Sequence, residues 1–410
     1  MTLIVVLSVM NGFEKDLRGA IQGANAHLTL YKFASSGINY SAGSPEMDKL
    51  KANPEVLAVS PFTSNQALLI GPGKPQGAMI KGIDPILEPK VTQMEFFIRT
   101  RLFEEKRDNS QEQATAEESR IAREALAALA PSQKEWYDSD GLPHTNRLAG
   151  IILGSQMAKS LGVGVGEIVT LVSPEARLTP MGNMPRAKRF RVEGFFESGI
   201  MGYDEILAFV DLKVAQRLFK LPGKVTGFAV RLKDGDQADV VKKSLKEHFQ
   251  FPYALSSWTE QNRALFAVFQ LEKIGLALIL TLVILIAAFN IISSLVLLVI
   301  EKKKDIAILK AIGAKDRVIK RIFVYQGSVI GLTGTILGTV LGLLVCWVVS
   351  SFDLLDIPAG VYVGNRIPMS VEPWQIGVIG LVSLLICFTV TLIPSQKASK
   401  LDPVEGLKHD

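Results

Sequence analysis

The sequence predicts an α-helical membrane protein of four spans, the first cut short, carrying a large α+β domain outside the bilayer. Three long uncharged runs lie within residues 274–393 of the 410, whereas residues 11–272 have the composition of ordinary soluble protein. Each run is long enough to cross a bilayer, and the basic residues gather on one side of them. These observations exclude a purely soluble enzyme and a disordered chain. A disulfide-stapled scaffold is excluded too, because the two cysteines, Cys346 and Cys387, both lie inside apolar runs.

The spans are read from length. Ile274–Ile300 has 27 residues without a charge, Ile322–Phe352 has 31 and Trp374–Ile393 has 20. A bilayer core needs about 20 apolar residues at roughly 1.5 Å each. Residues 301–321 hold eight Lys/Arg (Lys302, Lys303, Lys304, Lys310, Lys315, Arg317, Lys320, Arg321) against three acids, while residues 353–373 hold only Arg366. The tail adds Lys397, Lys400 and Lys408. The positive-inside bias therefore puts 301–321 and the C-terminus in the cytoplasm and the large domain on the opposite side. Thr2–Met10 is apolar but nine residues long, too short to span and without a signal peptide's basic leader. It reads as the second half of a first span.

The expected organisation is a partial first span and stalk over 1–25 and an outer α+β domain over 26–256. A stalk and second span follow over 257–300, a cytoplasmic loop over 301–321 and a third span over 322–352. An outer loop over 353–373, a fourth span over 374–393 and a tail over 394–410 complete the chain. Met10, Phe13, Leu17 and Ile21 recur at helical spacing, so the first span continues as an amphipathic stalk until Gly23 and Asn25. Ser257-x-x-Glu260 has the form of a capping box and leads into the second span with no Gly or Pro before Gly275. Two helical stalks of this kind transmit motion; a Gly/Ser linker does not.

Within the outer domain, strands are expected at His27–Tyr31, Val56–Pro61, Ala67–Ile70, Ala78–Ile80 and Gly150–Leu153. Ile168–Val172 and Lys188–Phe195 read as a strand pair, and Thr226–Leu232 as a further strand. Helices are expected at Ser155–Leu161, Val214–Leu218 and Ala238–Phe249. Residues 104–140 are charged and rich in Gln, Ala and Glu, with a helix-like run from Thr115 to Ala130, and read as an exposed insertion.

No catalytic pattern is present. IGPGKPQG at 70–77 lacks phosphate-loop spacing, the four histidines (His27, His144, His248, His409) are isolated, and there is no nucleophile elbow. The basic loop has no interleaved aromatics, so nucleic acid is not an expected partner, and no metal or cofactor is expected. Energy must come from another subunit.

Three regions carry the functional reading. In the cytoplasmic loop, Asp305 can start a short helix, Ile306, Leu309 and Ile312 give it an apolar side, and Gly313 can close it. Such a helix suits a groove on a cytoplasmic partner. In the third span, Gly327, Gly331, Gly334, Gly338 and Gly342 allow close helix approach, within one bundle or between subunits. The second span carries Asn290, Ser293 and Ser294, polar at depth, which bond across helices or face a cavity. Finally, 173–188 (SPEARLTPMGNMPRAK), between the paired strands, is too long for a tight hairpin and reads as a projecting loop that contacts another protein.

The stretches VLSVMNGFEKDL (6–17), AMIKGIDP (78–85), GIILGSQMAKSLGVGVGE (150–167), LTPMGNMPRAKRFRVEGFFESGIMGYD (178–204), EKKKDIAILKAIGAK (301–315) and SKLDPVEGL (399–407) resemble the lipoprotein-releasing permeases, LolC and LolE, within the wider MacB/FtsX-type permeases. The resemblance implies a four-span permease of the bacterial inner membrane with a MacB-like periplasmic α+β domain. It implies a separate LolD-type ATPase dimer that grips a coupling helix at Asp305, Ile306, Ile308, Leu309, Ile312 and Gly313. It also implies a second permease, either a copy or a relative, and acylated lipoprotein as cargo taken from membrane lipid. A hook for the periplasmic chaperone LolA carries over to Leu178, Thr179, Pro180, Met181, Gly182, Pro185 and Arg186. An apolar lipid cavity is expected at the stalk–membrane boundary, around Phe266, Phe269 and Leu271. The alternatives are an FtsX-like transmitter to a cell-wall hydrolase, or a MacB-like exporter of another substrate. The proline-rich loop argues against the first, and the absence of an ATPase from the chain argues against the second.

Overall fold

A charge-free run has no water to satisfy its backbone in a bilayer, so it folds as a helix. A computed structural model of the protein describes residues 1–33, 37–41, 44–100, 116–131, 136–137, 143–144, 148–179, 182–351 and 368–399. The long helices are α1 (Thr2–Ala24), α2 (Arg263–Glu301), α4 (Asp316–Ser351) and α5 (Pro373–Ser399), with the short α3 (Lys303–Ala311) between α2 and α4. Among the described residues three helices are long and apolar enough to cross a membrane, within Arg263–Glu301, Asp316–Ser351 and Pro373–Gln396. The chain divides into a helical unit, Met1–Lys15 with the described parts of Ala264–Leu355 and Arg366–Asp410, and a sheet unit, Asp16–Arg263.

The sheet unit rests on ten strands among the described residues: β1 (Leu28–Lys32), β2 (Val56–Ile70), β3 (Gln76–Ile83), β4 (Ile98–Arg99), β5 (Ala149–Gly154), β6 (Ile168–Thr179), β7 (Gly182–Phe196), β8 (Leu207–Asp211), β9 (Gly227–Leu232) and β10 (Tyr253–Ser257). Their order is β10-β1-β9-β2-β3-β8-β5-β7-β4, with β6 paired to both β7 and β2. Two pairs, β7 with β5 and β8 with β3, are parallel. Alternate residues of the central strands enter different cores. Ile151, Leu153, Phe195 and Val210 pack with the helices Ser155–Leu161 and Leu212–Leu218, while Ile152, Phe196 and Phe209 pack on the other face with Met94 and Phe97. Burial on both faces explains why AGIILG is apolar without alternation.

The structure corrects the sequence reading of the sheet unit in four places. The two expected strands at 56–70 are one, because the polar stretch Thr63–Gln66 exchanges the partner β9 for β3 without leaving the sheet. The described part of the 104–140 insertion is not merely exposed. Its helix Ala116–Ala127 and the following turn bury Ala122, Ala125, Leu126 and Leu129 against Phe97 and Phe196, while Glu117, Arg120 and Glu124 pair along the outer side. The remainder of that segment lies outside the described residues. Ser257 caps only the one-turn helix Trp258–Gln261, its hydroxyl receiving the Glu260 N–H at 3.4 Å. The Glu260 carboxylate turns to Lys242 instead of closing the box, and the helix breaks at Asn262 before α2 begins. The fourth correction concerns 173–188 and is described with the site.

The roots of α1 and of the Trp258 turn lie side by side in the sheet unit. Trp258 is fully buried and donates its indole N–H to the Gly235 carbonyl at 2.9 Å, and Arg18 stacks 5.7 Å from its ring. Arg18 and Gln22 both reach Asp236. His27 Nδ1 accepts the Leu232 N–H at 3.2 Å, and its carbonyl accepts the Trp258 N–H. Burial, then the Arg231 charge, hold the His27 imidazolium below its usual range against the pull of Asp234 and Asp236. The folded state thus favours neutral His27. That contribution is full above the unfolded value near 6.5 and is lost as pH falls below it toward the lowered folded value. The melting-temperature advantage of wild type over His27→Gln should therefore shrink between pH 8 and pH 5; an advantage constant with pH would contradict it.

Candidate functional site

The loop between α2 and α4 is built as two faces. Asp305 stands in the first turn of α3, where the helix dipole favours a carboxylate, and pairs with Lys302 at 3.0 Å. Ile306, 4% exposed, and Ala307 turn inward. Ile306 packs with Val299 of α2, Ile319 and Phe323 of α4, and Ala398 of α5. Lys310 donates to the Ser399 carbonyl at 2.6 Å and pairs with Asp316 at 2.9 Å, fixing the same helix to the starts and ends of its neighbours. On the other face Ile308 (47%), Leu309 (44%) and Ile312 (81%) are exposed. Ile306 therefore holds α3 in place and leaves the expected presented stripe; Ile308 joins Leu309 and Ile312 there.

Gly313 closes the helix. Its φ of +105° is one that side chains resist, and it supplies the turn of a Schellman cap. The Gly313 N–H bonds the Lys310 carbonyl and the Ala314 N–H bonds the Leu309 carbonyl, both at 3.0 Å. The cap fixes where Ile312 points after the last helical turn.

Residues 173–188 form a paired ribbon rather than an open loop. β6 and β7 remain paired from Ile168↔Arg191 to Thr179↔Gly182. Pro180 and Met181 lie outside the described residues. Beyond Val172 and Ala187 the ribbon pairs with no other strand among the described residues. The register shifts between Pro185 and Arg186, whose partners are Ala176 and Ser173, so Pro174 and Glu175 bulge out. Prolines cannot donate to a ladder, and a bulge accommodates them where an uninterrupted pair would not. At the ribbon's root, Arg186 Nε is buried without a hydrogen-bond partner. Lys188 lies 5.5 Å from the Phe190 ring, with burial and then Arg217 pushing its ammonium below the ordinary lysine value.

Phe266, Phe269 and Leu271, expected at a lipid cavity, are on the first turns of α2. Phe269 meets the Phe13 ring of α1 edge-on at 5.8 Å, and Leu271 is exposed. An apolar groove of about 320 Å³ lies in the helical unit, lined by Ile4, Ile291, Gly334, Gly338, Ile379 and Ser383 among others. No signal short of helix packing locates it. Gly327, Gly331 and Gly342 of α4 pack within the bundle, whereas a Cβ on Gly334 would meet nothing within 4 Å. A Cβ on Gly327 would stand 2.3 Å from the Thr391 side chain of α5, and one on Gly331 2.8 Å from Cys387 Cβ. Gly342 faces Ile4 of α1. Gly327→Ala should thus force α4 and α5 apart at a cost of about 1–3 kcal/mol, read as a lower melting temperature in detergent. Gly275→Ala, with nothing within 4 Å, is the control and should leave it unchanged.

Long apolar helices, a short two-faced helix between two of them and a large mixed-sheet unit are the features of a permease of the MacB/FtsX type. Residues 1–248 match the family described as MacB-like periplasmic core domain, and residues 277–403 the family described as FtsX-like permease C-terminal. The lipoprotein-releasing system transmembrane protein LolC of Neisseria meningitidis is 33% identical over 100% of this chain and 91% of its own length. LolC of Xylella fastidiosa is 31% identical over 100% of this chain and 90% of its own, and LolE of Haemophilus influenzae 26% identical over 99% and 90%. The chain belongs to the LolC/LolE family of lipoprotein-releasing permeases.

Proposed function

We propose that the chain is the permease subunit of an ABC transporter that extracts acylated lipoproteins from the bacterial inner membrane and passes them to a periplasmic chaperone. A separate LolD-type ATPase dimer supplies the energy, and a second permease subunit completes the pathway. The observation that carries this reading is α3: one face is clamped to α2, α4 and α5 by Ile306 and Lys310, and the other offers Ile308, Leu309 and Ile312. A push on the exposed face is delivered to three spans at once. Asp305 and Gly313 set the ends of that lever.

The energetic need agrees. Each CH₂ of an acyl chain gains about 0.8 kcal/mol in the bilayer, so withdrawing two or three chains costs on the order of tens of kcal/mol without an apolar shield. The ribbon, including Leu178, Thr179, Gly182, Pro185 and Arg186, is the proposed chaperone hook. The test is copurification from native membranes followed by identification of bound subunits and lipid. An ATPase, a second permease and acylated cargo are expected; a complex with a cell-wall hydrolase and no lipoprotein would favour an FtsX-like transmitter instead.

A further inference from the structure

Asn262 stands where the chain leaves the sheet unit, between the one-turn helix Trp258–Gln261 and α2, which begins at Arg263. Its φ of −105° and ψ of 22° break the helix there. Both ends of its amide are engaged. Nδ2 donates to the Trp258 carbonyl at 2.8 Å, and Oδ1 accepts the Tyr203 hydroxyl at 2.9 Å. Tyr203 belongs to the helix Met201–Ile206 and packs on the cluster that holds Phe97, Phe196 and Phe209. That helix is seated on the strand that carries the ribbon. Just beyond the end of β7 at Phe196, the Ser198 N–H, the Ser198 hydroxyl and the Gly199 N–H all donate to the buried Asp204 carboxylate, at 2.8, 2.8 and 3.0 Å. Gly199 makes the turn at a φ of +76°. At the end of β5, Gly154 has no room for a Cβ, which would run into the Asp204 carbonyl. Backbone meets backbone there, so the helix cannot slide on the sheet.

A contiguous path therefore runs from the ribbon through β7, the Asp204 staple and Tyr203 to Asn262. Its last link is one side-chain bond made to a break in a helix. Residues at the ends of elements are the ones that absorb the rotation of a hinge. A side chain bonded to such a break decides which neighbouring body turns with the helix. We infer that Tyr203 and Asn262 are positioning residues of the transport cycle: their hydrogen bond ties the start of α2 to the half of the sheet unit that bears the ribbon, so that a swing of the stalk carries the ribbon with it. This rests on the transporter reading and names the bond that passes the motion on.

The test uses the complete permease complex in proteoliposomes and reads lipoprotein released per ATP hydrolysed. Tyr203→Phe removes the hydroxyl and keeps the packed ring. It should lower that ratio about threefold to tenfold, the scale of one hydrogen bond, with ATP hydrolysis unchanged. Asn262→Leu should lower it as far, and the double variant no further than either alone. Asn262→Asp keeps the acceptor oxygen and should keep the ratio. A bond that merely stabilises the fold would lower release and hydrolysis together; an unchanged ratio in Tyr203→Phe overturns the inference. A second measurement needs no cargo. Nitroxides are placed on Glu205→Cys and Arg263→Cys, both exposed, in a Cys346→Ala, Cys387→Ala background. Their distance distribution should stay narrow with and without ATP and vanadate, and Tyr203→Phe should broaden it when both are added. No broadening would overturn the inference. Broadening as expected, in a complex whose wild type hydrolyses ATP and releases no lipoprotein, defeats the transporter reading alone.

Discussion

Leu309→Asp is expected to abolish copurification of the ATPase subunit while the chain remains folded in the membrane. Leu309 is 44% exposed and faces away from the cluster that anchors α3. A carboxylate there stands outside the buried cluster around Ile306, but docking would bury it. Burying one apolar side chain of this size contributes roughly 1.5–3 kcal/mol, and burying an unpaired charge in its place costs several more. The combined change removes a complex of ordinary affinity. Ile306→Asp gives the contrast: it places the charge among Val299, Ile319 and Phe323 and should lower the yield of folded chain. Undiminished copurification of the Leu309→Asp chain would remove α3 as the motor contact.

Replacing residues 174–185 by Asn-Gly is expected to abolish chaperone capture and leave ATPase assembly intact. Ser173 and Arg186 face each other in the ladder, so a two-residue turn can close the shortened hairpin between them. The strand pairs that root the ribbon, Thr170–Val172 with Leu68–Ile70 and Phe190–Phe196 with Ala149–Gly154, are untouched. The loss should therefore be confined to the ribbon's own contacts. A pull-down that still recovers the chaperone would dismiss the hook.

The legible parts of this protein are those where one physical term dominates. The spans are readable because a charge within 274–300 or 374–393 would be prohibitive, so its absence is informative. Gly313 is readable because few residues other than glycine end a helix at positive φ. The misreadings arise where terms compete. Thr63–Gln66 carries turn-like residues, yet unbroken pairing with β3 outweighs that preference. Prolines at 174 and 185 suggest an open loop, but a bulge lets the ladder resume beyond them. Ile306, Leu309 and Ile312 look alike in sequence, and only the positions of α2, α4 and α5 decide that the first turns inward. The helix at 116–127 hides its apolar stripe among charges because its outer side is almost wholly ionic. The groove beside Gly334 joins residues far apart in sequence, and no local pattern announces it.

The most direct measurement is release of a radiolabelled acylated lipoprotein from proteoliposomes holding the permease complex, into soluble chaperone. Release should require ATP and the ATPase subunit, and should disappear when α3 carries Leu309→Asp. Release, or ATP hydrolysis, by the permease chain without the ATPase subunit would contradict the account.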